Sequence, residues 1–216
     1  MGKTALVVGA TGAIGREIAR GLCESENYDK IIVWARRELN FSHEKLETQI
    51  INFDEIKDIR PCEVDEIFCA LGTTMKQAGS RGQFYKVDVN YPVNIAKWGI
   101  ASGARRFALM SAYGADERSR FFYLRAKGKA EKKIAALKYE SVQIAQLPAI
   151  KSEREQVRIG ELFTIWLFGL LPKFILTNYR PMSAKDIAAA VIAAAQTDAK
   201  GVQIYHPRDF VQTHGK

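Results

Sequence analysis

The chain of 216 residues contains little cysteine, only Cys23, Cys62 and Cys69. The number is odd and the spacing matches no metal-binding motif, so neither a disulfide framework nor a metal site is expected. The first residues also lack the apolar stretch of a secretory signal peptide. These absences predict a cytoplasmic protein with reduced thiols and no metal ion.

Long apolar runs are also absent. The longest apolar-rich stretch, "LFTIWLFGLL" at 162–171, has ten residues, whereas a helix that crosses a bilayer needs about 20. No membrane span is therefore expected. The stretch is interpreted as core, with a cover over a substrate pocket or the interface of a homodimer as alternatives.

The positive charges are not concentrated in one motif, although the net charge is +8. The densest cluster is Lys127, Lys129, Lys132 and Lys133, with Glu131 among them. This pattern favours the solvated face of an amphipathic helix over a surface for nucleic acid. No nucleic-acid partner is predicted, and an anionic cofactor or substrate would use only a few of these charges.

Short β-branched runs alternate along the chain with longer segments of helical spacing. The predicted strands are 4–10, 30–36, 48–53, 66–71, 105–112, 142–147 and 202–207; the predicted helices are 13–25, 85–103 with Pro92 near its start or at a kink, 122–139, and 183–197 capped by Ser183. This alternation predicts an α/β fold with a doubly wound, mostly parallel sheet. One domain over 1–216 is expected, with 150–182 as an irregular lobe for substrate or subunit contacts.

Three glycines lie between the first strand and its helix. "VVGATGAIG" places Gly9, Gly12 and Gly15 there with the spacing G-x-x-G-x-x-G. Such a turn offers free amide groups and the positive end of a helix dipole, which suit the pyrophosphate of a dinucleotide. The residues predicted to bind cofactor in this turn are Gly9, Thr11, Gly12, Ala13, Ile14 and Gly15.

The end of the second strand lacks the acid that usually binds the ribose of NAD. The strand ends "VWARR", so Arg36 and Arg37 follow it. A guanidinium group suits the 2′-phosphate of NADP. NADPH/NADP is therefore predicted, and NAD is less favoured; the alternative is two solvated arginines in a loop.

Four motifs together resemble the short-chain dehydrogenases/reductases. They are the glycine turn, "CALGTT" (69–74), "MSAYGAD" (110–116) and "FFYLRAKG" (121–128). They are most similar to the atypical branch of Tat-interacting-protein-like, NAD(P)-binding oxidoreductases. The resemblance covers roughly 4–200 and is weakest after 147. It implies a Rossmann fold and a bound NADPH.

The same resemblance implies a catalytic group of Ser111, Tyr123 and Lys127. Tyr123 would donate a proton to the substrate, and Lys127 would stabilise the phenolate and bind the nicotinamide ribose. Ser111 would hydrogen-bond the carbonyl oxygen. Tyr123 and Lys127 are four residues apart, which places both side chains on one face of a helix.

The same resemblance implies three further groups of cofactor contacts. Phe53 and Asp54 would contact the adenine. The other two groups are Ala70, Leu71 and Gly72 after the fourth strand, and Leu147, Pro148 and Ala149 after the sixth.

The chain departs from the family at two places. It has "QLPA" where "RPG" or "QPS" is common, and Ala112 where a second serine often ends the fifth strand. If that second position is the functional one, the serine role is lost.

Two functions follow from these features. The first is an NADPH-dependent reductase, or an epimerase-type relative, that acts on a small carbonyl compound. The second is an NADPH-binding regulatory or interaction protein with little or no turnover. The fold alone does not decide between them, and the intact Ser-Tyr-Lys set favours the enzyme.

Overall fold

The computed structural model describes residues 2–147 and 182–211. Within these ranges, the strands are β1 (Lys3–Val8), β2 (Tyr28–Ala35), β3 (Leu46–Ile50), β4 (Glu66–Cys69), β5 (Arg106–Ala112), β6 (Ser141–Leu147) and β7 (Gly201–Tyr205). The helices are α1 (Ala13–Glu24), a 3₁₀ helix (Phe53–Asp58), α2 (Met75–Ala78), α3 (Arg81–Tyr85), a π turn (Lys86–Asn90), α4 (Tyr91–Ala101), α5 (Phe122–Ala135), α6 (Ala184–Ala195) and α7 (Pro207–Val211).

The strands form one parallel sheet in the order β3-β2-β1-β4-β5-β6-β7. β1 pairs with β2 on one side and with β4 on the other. The direction of winding therefore reverses between β1 and β4, and the carboxyl ends of these strands border a crevice where such folds bind ligands. The predicted doubly wound α/β fold is confirmed.

Both faces of the sheet are buried. Along β1, Ala5 and Val7 pack with α1 and α6, whereas Leu6 and Val8 point to the opposite face and pack with α4 and α5. Successive residues of a strand point to opposite faces, and a sheet covered on both sides has an apolar residue at nearly every position. This explains why the strands have continuous apolar runs and lack a polar alternation.

The helix predicted over 85–103 is different in the structure. It begins earlier, with α3, and it contains the π turn before α4. The Tyr91 amide donates to the carbonyl of Lys86, five residues back. Pro92 has no amide proton, so the carbonyl of Asp88 loses its ordinary helical partner. Pro92 therefore accompanies a local change from α-helical to π-helical hydrogen bonding.

One smaller difference and one confirmation concern helix ends. α5 ends at Ala135, four residues before its predicted end at 139. Ser183 caps α6 as predicted, because its hydroxyl accepts a hydrogen bond from the amide of Asp186 at 3.1 Å.

The lobe expected at 150–182 lies outside the described residues, except for Met182. No helix within 2–147 and 182–211 has the length and apolar character needed to cross a bilayer.

Candidate active site

The glycine turn packs directly on the loop that follows β4. Gly9 has φ +95°, and a Cβ atom on it would lie 2.6 Å from the carbonyl carbon and oxygen of Ala70. A Cβ atom on Gly15 would lie 2.3 Å from the carbonyl oxygen of Gly9. Both positions therefore need glycine for close backbone packing. This packing places the carbonyl of Ala70 and the amide of Leu71 beside the turn. The contacts of Ala70, Leu71 and Gly72 with a cofactor stay a prediction.

Gly12 has a different environment. It is the N-cap of α1, makes no side-chain capping bond, and is exposed together with Thr11 and Ala13. A Cβ atom on Gly12 would meet the carbonyl oxygen of Gly9 at 3.3 Å and no other described atom within 4 Å. The first amide groups of a helix have no intrahelical partner, and the open space lies at this positive end of the helix dipole. Buried Ile14 anchors the turn. The cradle fits a pyrophosphate.

Arg36 and Arg37 come directly after the last residue of β2, and both are exposed. β2 is the parallel neighbour of β1, so Arg36 and Arg37 lie at the same edge of the sheet as the glycine turn. This is the edge at which the ribose of a dinucleotide lies in doubly wound folds.

Phe53 and Asp54 connect the 3₁₀ helix to the π turn and α4. Phe53 is buried, with its ring centroid 5.6 Å from that of Tyr91. The Asp54 carboxylate is 2.7 Å from Lys86 Nζ and accepts the Tyr91 hydroxyl at 2.7 Å. The hydrogen bond from Lys86 holds the pKa of Asp54 below its usual value. Their contact with adenine stays a prediction.

The inner face of α5 is polar but buried. Lys127 and Glu131 are only 8% and 7% exposed, whereas Lys132 and Lys133 face solvent. The interpretation of the whole cluster as a solvated face was therefore wrong for Lys127 and Glu131. Tyr123 is partly buried, and its ring centroid lies 5.7 Å from that of Phe84.

A buried carboxylate holds Lys127. Asp88 Oδ1, in the π turn, lies 2.7 Å from Lys127 Nζ, and Asp88 Oδ2 accepts the amide of Thr73 at 2.8 Å. Asp88 is 1% exposed. Breaking a buried pair of this kind leaves an uncompensated charge, which costs about 3–5 kcal/mol. The pair therefore fixes α5 against the π turn and against the loop after β4, which borders the crevice.

Ser111 points to the face of the sheet that α5 covers, and its hydroxyl is bound to a side chain of that helix. It donates to Oε1 of Glu131, and Gln146 Nε2 donates to Oε1 and Oε2 of the same carboxylate at 3.2 and 3.1 Å. Burial raises the pKa of Glu131, and the hydrogen bonds from Ser111 and Gln146 and the charge of Lys127 oppose this rise. Ser111 therefore contacts α5 at Glu131, which lies eight residues after Tyr123 on that helix.

The loop after β5 packs on α5 through a glycine. A Cβ atom on Gly128 would lie 2.3 Å from the carbonyl carbon of Asp116 and from the amide nitrogen of Glu117. The Asp116 amide donates to the carbonyl of Leu124 at 3.2 Å. Two of the motifs that resemble the family, "MSAYGAD" and "FFYLRAKG", are therefore in direct contact.

The ends of β5 and β6 are joined at the same edge, where the Tyr113 amide donates to the carbonyl of Leu147 at 2.9 Å. Leu147 is buried at the end of β6. The predicted cofactor residues Pro148 and Ala149 lie outside the described residues.

Three functional candidates, Asp88, Glu131 and Gln146, are absent from the sequence-based set. Glu131 had a detectable signal, because Tyr123, Lys127 and Glu131 follow one another at intervals of four on a single helix face. Asp88 and Gln146 had none, since their roles depend on contacts between distant elements. Within 2–147 and 182–211, no group of three or more His, Cys, Asp or Glu side chains is suited to a metal ion.

The parallel sheet, the glycine turn at its switch point and the helix that carries Tyr123 and the buried Lys127 define an NAD(P)-binding Rossmann-fold protein. A model of the NAD dependent epimerase/dehydratase family matches residues 5–137, and the chain belongs to this family. The curated relatives place it in the atypical, NAD(P)-binding branch of the short-chain dehydrogenases/reductases.

Two relatives show the extent of the similarity. Protein HTATIP2 of Rattus norvegicus is 30% identical over 182 residues, 82% of this chain and 75% of the relative. Mitochondrial protein FMP52 of Eremothecium gossypii is 32% identical over 202 residues, 91% of this chain and 90% of the relative.

Solved structures with low sequence identity share the fold. The Bordetella bronchiseptica enzyme WbmH in complex with NAD⁺ has a TM-score of 0.70 at 15% identity, with 95% of this chain and 76% of that chain covered. Uronate dehydrogenase from Agrobacterium tumefaciens has a TM-score of 0.69 at 13% identity, with 94% and 76% covered.

The predicted cytoplasmic location was wrong. Several fungal relatives are named mitochondrial proteins, and this finding contradicts the prediction. The prediction depended on the unpaired cysteines and on the lack of a secretory signal peptide, and neither feature distinguishes the cytoplasm from the mitochondrion.

Proposed function

We propose that the chain is an NADPH-dependent reductase, or an epimerase-type relative, that acts on a small carbonyl compound. The observation that carries this proposal is the position of the Tyr123–Lys127 face of α5. Lys127 is buried against Asp88, and Asp88 also binds the loop after β4 that packs on the glycine turn. This chain of contacts supports the proposal because it fixes the Lys127 end of the Tyr-x-x-x-Lys pair beside the loop that borders the glycine turn.

The cofactor would bind with its pyrophosphate on the amides at the N-terminus of α1. When bound, a nicotinamide dinucleotide supplies or removes a hydride. Arg36 and Arg37 would bind the 2′-phosphate of NADP, since guanidinium groups suit phosphate oxygens. Solved structures of the same fold are named as complexes with NAD, so the choice of NADP depends on these two arginines.

Tyr123, Lys127 and Ser111 would divide the remaining chemistry. The Tyr123 hydroxyl would donate a proton to the oxygen of the substrate carbonyl as negative charge develops there. The Lys127 ammonium would stabilise the tyrosinate that remains, and Asp88 keeps this ammonium in place. Ser111 would donate a hydrogen bond to the same substrate oxygen.

Tyr123→Phe tests the proton donor, because it keeps the ring and its packing on Phe84 but removes the transferable proton. Oxidation of NADPH would be followed with a panel of aldehydes, ketones and quinones. We expect loss of turnover on any substrate that the parent reduces, with the Kd for NADPH unchanged. Tyr139→Phe is a matched control, because its hydroxyl is buried in the core on the carbonyl of Ala96. A Tyr123→Phe variant with the parental rate would refute the assignment.

A cofactor-binding protein with little turnover is the second candidate. The observation that favours it is the engagement of the Ser111 hydroxyl by Glu131, together with Ala112 at the end of β5. If no panel compound reacts although NADPH binds tightly, this second function is supported and the reductase is not.

A further inference from the structure

We infer that Glu131 controls the direction in which the Ser111 hydroxyl points, and thereby sets when Ser111 can donate to a substrate oxygen. This inference rests on the proposed function and adds a positioning residue to the proposed site. It begins from a property of serine: a hydroxyl has one proton to donate and can accept two hydrogen bonds.

The contacts of Glu131 come from three elements. Ser111 reaches its carboxylate from β5, Gln146 reaches it from β6, and Glu131 itself projects from α5. All three side chains are buried, at 8%, 6% and 7% exposure for Ser111, Gln146 and Glu131. The three side chains are packed in the interior, and the single proton of the serine is bound to the carboxylate.

An ionised carboxylate accepts hydrogen bonds only, whereas a protonated one also donates. With Glu131 ionised, Ser111 donates inward and can only accept a hydrogen bond from any further partner. With Glu131 protonated, the carboxyl proton can bind the serine oxygen, and the serine proton is released for the substrate oxygen. The donor capacity of Ser111 therefore follows the protonation state of Glu131.

The surroundings of Glu131 act on its pKa in opposite directions. Burial raises its pKa, as the largest cause. Among the described residues, the charge that opposes this is Lys127, one turn earlier on α5, which is itself paired with Asp88 of the π turn. The Cys69 thiol, at the end of β4, stays neutral because burial raises its pKa to about 12. Ser111 and Gln146 face the carboxylate from β5 and β6 without charge.

The first test compares kcat/KM of the parent and of Ser111→Ala across the pH range in which both stay folded. We expect the parent-to-variant ratio to be largest at low pH and to fall as pH rises, because ionised Glu131 withdraws the serine proton. In a Glu131→Gln background the ratio should be independent of pH, since the amide does not titrate. Glu140→Gln, which removes an exposed carboxylate at the opposite edge of the sheet, should leave the slope of the ratio unchanged.

A parental ratio that is constant with pH, or one that changes equally in the Glu131→Gln background, would overturn the inference. Either result leaves the reductase function in place, because turnover is observed. If no substrate is reduced at all, the proposed function fails and the second test decides.

The second test needs no turnover. Carbon NMR of the glutamate carboxyl groups would follow the titration of Glu131 in the parent and in Ser111→Ala. The ionised form loses one donor in the variant, so its titration midpoint should move to higher pH. An unchanged midpoint would show that the serine hydroxyl does not bind the carboxylate, and would overturn the inference independently of any activity.

Discussion

At the scale of single residues, Gly12 differs from Gly9 and Gly15 in the space around it. A side chain at Gly9 or Gly15 would enter neighbouring backbone, whereas one at Gly12 would enter the open cradle at the start of α1. The three glycines of one motif therefore have two different roles. Two of them allow the turn to fold, and the third keeps open the space at the start of α1 where we propose that the pyrophosphate binds.

Gly12→Val should abolish binding of NADPH without unfolding the chain, because its branched side chain would occupy the cradle. Binding would be measured by fluorescence titration and folding by circular dichroism. Gly15→Ala is the contrasting variant and should lower the melting temperature, since its Cβ atom would lie 2.3 Å from a carbonyl oxygen. Normal NADPH binding by a folded Gly12→Val variant would place the cradle elsewhere.

Replacing Arg36 and Arg37 together by alanine should remove most of the preference for NADPH over NADH. Each charge-assisted contact with a phosphate is worth about 1.5–3 kcal/mol, or roughly 10- to 150-fold in affinity. Kd values for both cofactors would be compared by titration. Arg105→Ala, which removes an exposed arginine at the amino end of β5, should change neither value. Equal affinity of the parent for both cofactors would end the argument for NADP.

Single residues also show how far a sequence predicts a site. The glycine turn and the Tyr-x-x-x-Lys pair were found because their spacing is local. Asp88 was not, since its partners Thr73 and Lys127 lie 15 and 39 positions away in the chain and meet it only in the folded sheet. The same holds for Gln146, which reaches Glu131 from a different strand.

At the scale of elements, α5 is held by a close backbone contact at Gly128. Gly128→Ala should separate the helix from the loop at Asp116 and lower the free energy of unfolding by about 1–3 kcal/mol, as overpacking does. Denaturant unfolding would measure the change. Gly82→Ala is the control, because its Cβ atom would meet only Ser80 Oγ at 4.0 Å among the described atoms. That variant should be unchanged or stabilised by up to about 1 kcal/mol.

The order and type of the elements were predictable because apolar runs and helical spacing are local properties. Their ends were less so. The π turn could not be predicted from periodicity, since the apolar spacing of 85–103 does not report a local change to a five-residue hydrogen bond. The end of α5 was placed four residues too late, because "LKY" at 137–139 continues an apolar pattern that in the structure belongs to a loop.

At the scale of the whole molecule, Glu131 should give stability an unusual dependence on pH. Its folded pKa is raised above the ordinary 4.5 of glutamate, so the folded chain keeps a proton that the unfolded chain has lost. Its contribution to stability is complete below about pH 4.5 and declines as pH rises through the raised pKa. The parent should therefore lose stability relative to Glu131→Gln as pH increases.

Thermal unfolding of both chains at several pH values would measure this difference. Glu140→Gln should give the opposite sign, because the hydrogen bond from Arg105 lowers the pKa of Glu140. The contribution of Glu140 is present above the ordinary pKa and is lost as pH falls, and its exposure keeps it small. A constant difference between the parent and Glu131→Gln would mean that Glu131 titrates normally.

The π turn has a consequence for how related sequences are compared. A π turn holds one residue more than the α-helical turn it replaces, and here the turn carries Asp88, whose carboxylate lies 2.7 Å from Lys127 Nζ. A relative in which an alignment opens a one-residue gap within 86–90 should have a regular helix there. In such a relative, the lysine that aligns with Lys127 should lack an acidic partner. This should hold even where the residues on both sides of the gap are identical to those of this chain.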